Sequence, residues 1–256
     1  MDVVGVSIVG PRADVVLKRP EVLNAVNLEV FDGLAAAADE VAASDAKVVV
    51  VSGEGRSFCS GIDVSAIGAV TGAPPEMIAR AQAGYRKLAA LPMPTLAVVQ
   101  GHALGAGLQL ALACDVRIVA SDARLGLLEA NYGLIPDLGG STRLPQIVGS
   151  GRAKKMIWLA EQIDGTEAER LGIAELAVPP GQLQERADAV AGRLAEGPTT
   201  VMREAKALAD RAHLLDVAAG MDAEAEAQAR CMSAPDFGEA MMKGIQRMTR
   251  RDQKPV

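Results

Sequence analysis

The sequence predicts an α/β core followed by a helical C-terminal region, and three observations carry that prediction. Short β-branched runs alternate with helix-periodic stretches over the first two-thirds of the chain. Two of those runs, residues 48–51 and 96–99, are apolar without interruption, as expected of strands buried on both faces of a sheet. Beyond about Arg152 the strand signal nearly vanishes while helical spacing continues.

Taken in order, residues 3–8, 13–17, 47–51, 95–99 and 116–120 read as strands, with 174–178 the one later extended segment. Residues 27–43 carry helical spacing, with Asn27 as N-cap and Val30, Leu34 and Ala37 on one face. Residues 75–90 form a second helix. Residues 182–195, 199–211, 214–232 and 237–248 read as successive helices, partly separated by Gly-Pro and Ala-Pro punctuation. The expected division is a core over 1–195 and a helical region over 196–256. Trp158 is assigned to the core.

Composition removes several function classes. The 256 residues carry a net charge of -6 and 2% aromatics. An acidic chain without aromatic platforms is poorly suited to duplex or single-stranded nucleic acid. The one basic cluster, Arg247, Arg250 and Arg251, reads as a solvated tail. Cys59, Cys114 and Cys231 lack metal-ligand spacing and suit free thiols in a reducing compartment. With only His102 and His213, a histidine metal site is not expected. No apolar run approaches the ~20 residues of a membrane helix, and the N-terminus lacks a signal-peptide pattern. The expectation is a cytoplasmic protein without membrane or metal.

Three segments carry chemistry. Residues 56–63 (RSFCSGID) leave the end of a buried strand, where α/β proteins place ligands, and Ser60 and Gly61 are small enough for close approach to backbone. Residues 101–109 (GHALGAGLQ) open a helix with small residues, exposing N–H groups that suit a developing oxyanion or, equally, a phosphate. In residues 125–140 (LGLLEANYGLIPDLGG), Glu129 sits among Leu127, Leu128 and Ala130. A carboxylate in apolar surroundings tends toward a raised pKa, useful for moving protons.

Together, and with residues 18–25 (KRPEVLNA) and 133–144 (GLIPDLGGSTRL), these segments resemble the crotonase (enoyl-CoA hydratase/isomerase) superfamily over about residues 17–173. The resemblance implies a spiral of ββα units with a C-terminal helical trimerisation region, assembled as a homotrimer or a dimer of trimers. It implies an acyl-CoA thioester as substrate, coenzyme A being part of that substrate, with no metal or other cofactor. The oxyanion hole is expected from the N–H groups of Ser60 and Ala106. Coenzyme A is expected along Val22, Leu23, Gly61, Ile62 and Asp63, with Gln109, Leu128 and Tyr132 near the acyl group and Met77, Ile78 and Tyr85 in a wall spanning 68–90.

Departures from the family pattern set the expected reaction. Hydratases of the family place glutamates on the substrate at two positions, which here hold Gln109 and Glu129. An amide cannot take a proton from water at neutral pH. The resemblance therefore favours double-bond isomerisation of an enoyl-CoA through Glu129 alone, or of a dienoyl-CoA with Asp137 as second catalytic carboxylate; Asp137 as an N-cap of the 139–147 helix is the alternative. Hydration despite Gln109, and binding of acyl-CoA without catalysis, are the other readings. A serine hydrolase built on Ser57 or Ser60 with His102 lacks both the Gly-x-Ser-x-Gly elbow and an evident acidic partner.

Overall fold

A computed structural model describes residues 3–63 and 75–251, for which two compact units, Met1–Ala195 and Glu196–Val256, are distinguished. Residues 68–74 of the expected pocket wall and the side chains of Arg247, Arg250 and Arg251 lie outside the described residues.

The first unit opens with a hairpin, β1 (Val4–Val9) and β2 (Arg12–Leu17), turned at Gly10 with φ 57°. Helix α1 (Leu28–Ala42) follows, its first turn closed by the Asn27 side chain, which accepts from Val30 N at 3.0 Å. Val30, Phe31, Leu34, Ala37, Ala38 and Val41 are buried at i, i+3/i+4 spacing; residues such as Phe31 and Leu34 each contribute roughly 1.5–3 kcal/mol of burial. Strand β3 (Val48–Gly53), α2 (Pro75–Ala89), β4 (Thr95–Val99), β5 (His102–Leu104), α3 (Ala106–Ala113), β6 (Val116–Ala120) and β7 (Arg124–Gly126) come next. Then come α4 (Gly140–Val148), α5 (Ser150–Trp158), β8 (Gln162–Asp164), α6 (Gly165–Arg170), β9 (Leu176–Val178) and α7 (Leu183–Ala195).

The main sheet has the order β1-β2-β3-β4-β6-β9 and is parallel except for the first hairpin. All four valines of β3 and all five residues of β4 are buried, as their unbroken apolar runs require, with α7 laid across β3, β4 and β6. A second sheet, β5-β7-β8, is made of three-residue strands that sequence patterning did not reveal. Isolated bridges Val26–Ile62 and Cys59–Ala103 set residues 59–62 between the 23–26 segment and β5.

Helices α5 and α6 are also additions to the expected layout. Trp158 is not in the core: it ends α5 with 70% of its surface exposed. The buried stripe of that helix is Ala153 and Met156, and position 158 is turned well away from both at 100° per residue.

The second unit consists of α8 (Thr199–Arg211), α9 (Val217–Ser233) and α10 (Phe237–Arg251). Asp216 caps α9 by accepting from Ala219 N at 2.9 Å, and Arg230 clasps Glu204 of α8 through Nε at 2.7 Å and Nη2 at 2.9 Å. Ala227 is its only buried apolar residue among those described, whereas Val217, Met221, Met232, Met241, Met242 and Ile245 are at least half exposed.

Candidate active site

Coming off β3, the chain is fixed before it reaches the site. Leu23 and Asn24 adopt left-handed φ values of 55° and 56°. Asn24, fully buried, accepts from Arg19 N at 2.9 Å and donates to Glu54 O at 2.9 Å and Ser57 O at 2.7 Å. That places residues 22–26 alongside 60–63. Ser60 N donates to Leu23 O at 3.0 Å, Val26 N to Gly61 O at 2.7 Å and Asp63 N to Val26 O at 2.9 Å.

This ladder corrects the expected oxyanion hole. The Ser60 N–H is already committed to Leu23, so it is not open to a substrate oxygen. In a parallel bridge the residue between two bonded neighbours directs its own N–H to the opposite side. Ile62 is that residue, and its N–H has no acceptor among the described residues. Gly61 backs onto helix α3: with φ 105°, a Cβ there would stand 2.9 Å from Leu104 O and 4.0 Å from Ala106 N. Gly107 is needed for the same approach, because its Cβ would fall 2.3 Å from Cys59 O. Ala106, first residue of α3, has an N–H with no intrahelical partner, at the positive end of the helix.

Asp63 is also reassigned. Its carboxylate is paired with Arg19 at 2.9 Å, and both side chains are only 16% exposed. Arg19 donates in addition to Ala25 O. The side chain of Asp63 thus braces the loop. Val22 is partly exposed beside it.

Glu129 begins a 3-10 turn (Glu129–Tyr132) just beyond β7, whose Gly126 carbonyl accepts from Gly105 N at 2.8 Å. Its Oε1 accepts from Gln109 Nε2 at 2.7 Å, while Oε2 is buried with no hydrogen-bond partner. Burial raises the carboxyl pKa above the ordinary glutamate value. Hydrogen bonds from its own backbone, Gln109 and Leu128 oppose that rise, and the charge of Asp137 adds to it. Gln109 is fully buried, and its Oε1 accepts from Leu138 N at 2.7 Å and Gly140 N at 2.9 Å. Two backbone donors fix the amide orientation, since only the oxygen can face them.

Beside these groups lies a cleft of about 450 Å³. Gln82, Tyr85 and Arg86 of α2 form one wall, and residues including Ile135, Asp137 and Arg143 form the other. Gln82 Nε2 donates to Asp137 O at 2.6 Å, joining the two walls, and Tyr85 OH to Ala106 O at 3.1 Å, tying α2 to α3. Asp137 does not cap α4; the helix starts after Gly139, and the N–H of its first residue, Gly140, is taken by Gln109. Although Asp137 is open to solvent on one side, the cleft wall strips enough water from its carboxyl to raise the pKa. Of the expected acyl-pocket residues, Tyr85 lines the cleft, Leu128 adjoins Glu129, Leu127 is core, and Ile78 and Tyr132 are exposed, Tyr132 by 62%.

Other nucleophiles have structural roles. Ser57 Oγ lies 3.3 Å from His102 Nδ1, but Ser57 is buried and accepts from His102 N at 3.2 Å. Cys59 is fully buried, and burial pushes its thiol up to about 12, so no thiolate forms near neutrality. Among the described residues no group of acidic, cysteine or histidine side chains is placed to hold a metal ion. No helix among them is long and apolar enough to cross a membrane.

Residues 12–253 match the family model described as enoyl-CoA hydratase/isomerase. The chain is 34% identical over 231 residues to a crotonyl-CoA hydratase of Syntrophomonas wolfei, covering 88% of each. It superposes with a TM-score of 0.88 on enoyl-CoA hydratase subunit I of Geobacillus kaustophilus, at 30% identity, covering 99% of this chain and 97% of that one. A putative enoyl-CoA hydratase of Thermobifida fusca, solved with CoA, matches with a TM-score of 0.84 and 33% identity over 91% of this chain and 93% of that one. Fold, paired loops and buried glutamate thus coincide with the sequence match, and the chain belongs to the enoyl-CoA hydratase/isomerase (crotonase) family.

Proposed function

We propose that this protein moves the double bond of an enoyl-CoA or dienoyl-CoA thioester, with Glu129 as the proton carrier. The observation that carries the reading is Glu129 Oε2, a buried carboxylate oxygen without a hydrogen-bond partner among the described residues, together with the N–H groups of Ala106 and Ile62, which likewise have no acceptor among them. In this reading the thioester carbonyl accepts from Ala106 N–H and Ile62 N–H. Glu129 removes a proton from C2 of a 3-enoyl thioester, and the electron pair passes to the carbonyl oxygen as a dienolate. The resulting glutamic acid returns the proton to C4, giving the 2-enoyl thioester with atoms and charge balanced. Each oxyanion donor is expected to contribute roughly 3 kcal/mol to the barrier reduction, and acid–base transfer on the order of 10²–10⁴-fold.

Coenzyme A would run along Val22, Leu23 and the backbone of residues 61–63, with the acyl group entering the cleft under Tyr85. In this reading Asp137, eight residues after Glu129 and close enough to raise its pKa, would serve a second carbon of a longer conjugated system. Hydration is the second reading, favoured by the hydratase activities of the relatives. Against it, both oxygen lone pairs of Gln109 are already engaged, so the amide has no acceptor for a water proton. The half-exposed methionines and aliphatics of the C-terminal unit support self-assembly through that face, as a trimer or a dimer of trimers.

The test is incubation with 3-enoyl-CoA and with crotonyl-CoA in deuterated water. Bond migration or exchange at C2 supports isomerisation. Formation of 3-hydroxyacyl-CoA as main product supports hydration, and tight binding with neither leaves a carrier.

A further inference from the structure

Gln109 occupies a position where, by the family resemblance, hydratases carry a second glutamate, and it faces the protein on every side. Its oxygen closes the first turn of α4 through Leu138 N and Gly140 N, and its nitrogen holds Glu129 Oε1 at 2.7 Å. The side chain is closely packed against Gly140, and Glu129 against Gly105. A Cβ on Gly140 would meet Gln109 Cγ at 2.9 Å and Oε1 at 3.0 Å, and a Cβ on Gly105 would meet Glu129 Oε1 at 3.2 Å.

We propose that Gln109 is a positioning residue that divides the labour of the two Glu129 oxygens, anchoring Oε1 so that Oε2 alone exchanges protons with the substrate. The deduction rests on the reading of Glu129 as the proton carrier. Because the same amide holds residues 138 and 140, it also ties the carboxylate to the turn that carries Asp137. A glutamine meets both demands at once: its oxygen accepts two N–H bonds while its nitrogen donates one. A glutamate could keep the first role but would set a second carboxylate against Oε1.

The groups around Glu129 that bear on its titration are few. Asp137 adds a negative charge near enough to be felt, and Tyr85 on α2 is a neutral phenol whose own pKa burial raises well above the usual value. Cys59 behind Tyr85 is an un-ionised thiol. Gln109 is the only side chain donating to the carboxylate among the described residues, so its replacement has a readable effect.

The experiment titrates the Glu129 carboxyl by ¹³C NMR in protein labelled at the glutamate carboxyl carbon, assigned by loss of the signal in Glu129→Gln. Gln109→Glu keeps an acceptor for Leu138 and Gly140, and so keeps the turn, but replaces the donor to Oε1 with a like charge. The Glu129 midpoint is expected to rise by about one pH unit or more. Gln109→Met removes the donor without adding charge and gives a smaller rise in the same direction. Where isomerisation is measurable, the acid limb of kcat/KM moves with the midpoint, a loss of about tenfold well below it. A Glu129 midpoint unchanged in both variants, each with native circular dichroism, overturns the proposal. The titration needs no substrate. A protein that neither exchanges nor isomerises acyl-CoA therefore refutes the proposed reaction without touching the Gln109–Glu129 link.

Discussion

Gly105→Ala is a single methyl placed at the hinge between the second sheet and the helix that supplies Ala106. Gly105 has φ 52° and ψ -119°, a combination that residues with a Cβ strongly avoid. That strain costs about 1–3 kcal/mol. For a chain of this size each kcal/mol lowers Tm by roughly 2–4 °C, so the expected fall is about 2–12 °C. The added carbon also stands 3.2 Å from Glu129 Oε1, closer than ordinary van der Waals contact, so either the carboxylate or the N-terminus of α3 must move. Displacement of a reacting group by about 1 Å can cost on the order of 10²-fold in rate. Gly172→Ala separates the two effects: φ is 76°, but a Cβ there has no heavy atom within 4 Å. Differential scanning fluorimetry together with turnover of a 3-enoyl-CoA reads both. Both variants should melt earlier, while only Gly105→Ala loses about two orders of magnitude in kcat. Full activity in Gly105→Ala, or equal loss of activity in the two, refutes the placement of Glu129 against this turn.

Glu129→Gln should abolish turnover while acyl-CoA binding persists, since the amide keeps the shape and loses the proton acceptor; retained turnover removes Glu129 from the mechanism. The same variant reports on stability. Because burial raises the folded-state pKa, the folded protein holds the Glu129 proton more tightly than the unfolded chain, so its contribution to stability falls as pH rises from the ordinary glutamate value through the raised one. The Tm of Glu129→Gln relative to wild type should therefore climb from pH 4 toward pH 8; a flat difference contradicts the raised pKa. Asn24→Ala leaves the carbonyls of Glu54 and Ser57 without their buried donor and should destabilise by about 2–4 kcal/mol in denaturant titration. A loss below 0.5 kcal/mol would mean that this loop is held by other contacts.

How legible these features were follows from the range of the forces involved. The valines of β3 and the Asn27 cap of α1 are local signals, and they appear in the structure within a residue or two of the expected positions. Strands β5, β7 and β8 have three residues each, too short for a period to register, and exist because their partners are brought from up to forty residues away. The site shows the same contrast. Its loops could be placed from glycine patterns and family resemblance, but which N–H faces a ligand depends on pairing between residues 22–26 and 60–63, set by the left-handed Leu23 and Asn24. Ser60 and Ile62 lie two residues apart in this segment, and only the pairing shows that the Ser60 N–H is taken by Leu23. Gln109 was recognisable as a departure, but its oxygen partners lie 29 and 31 residues on, and no spacing rule announces them. The Arg19–Asp63 pair, 44 positions apart, likewise carries no local signal.

The most direct test is a crystal structure of this chain with a non-isomerisable acyl-CoA. The thioester oxygen is predicted within about 3 Å of both Ala106 N and Ile62 N, with Glu129 Oε2, not Oε1, turned toward C2. A thioester bound away from these amides, or a Glu129 side chain facing bulk solvent, would contradict the account.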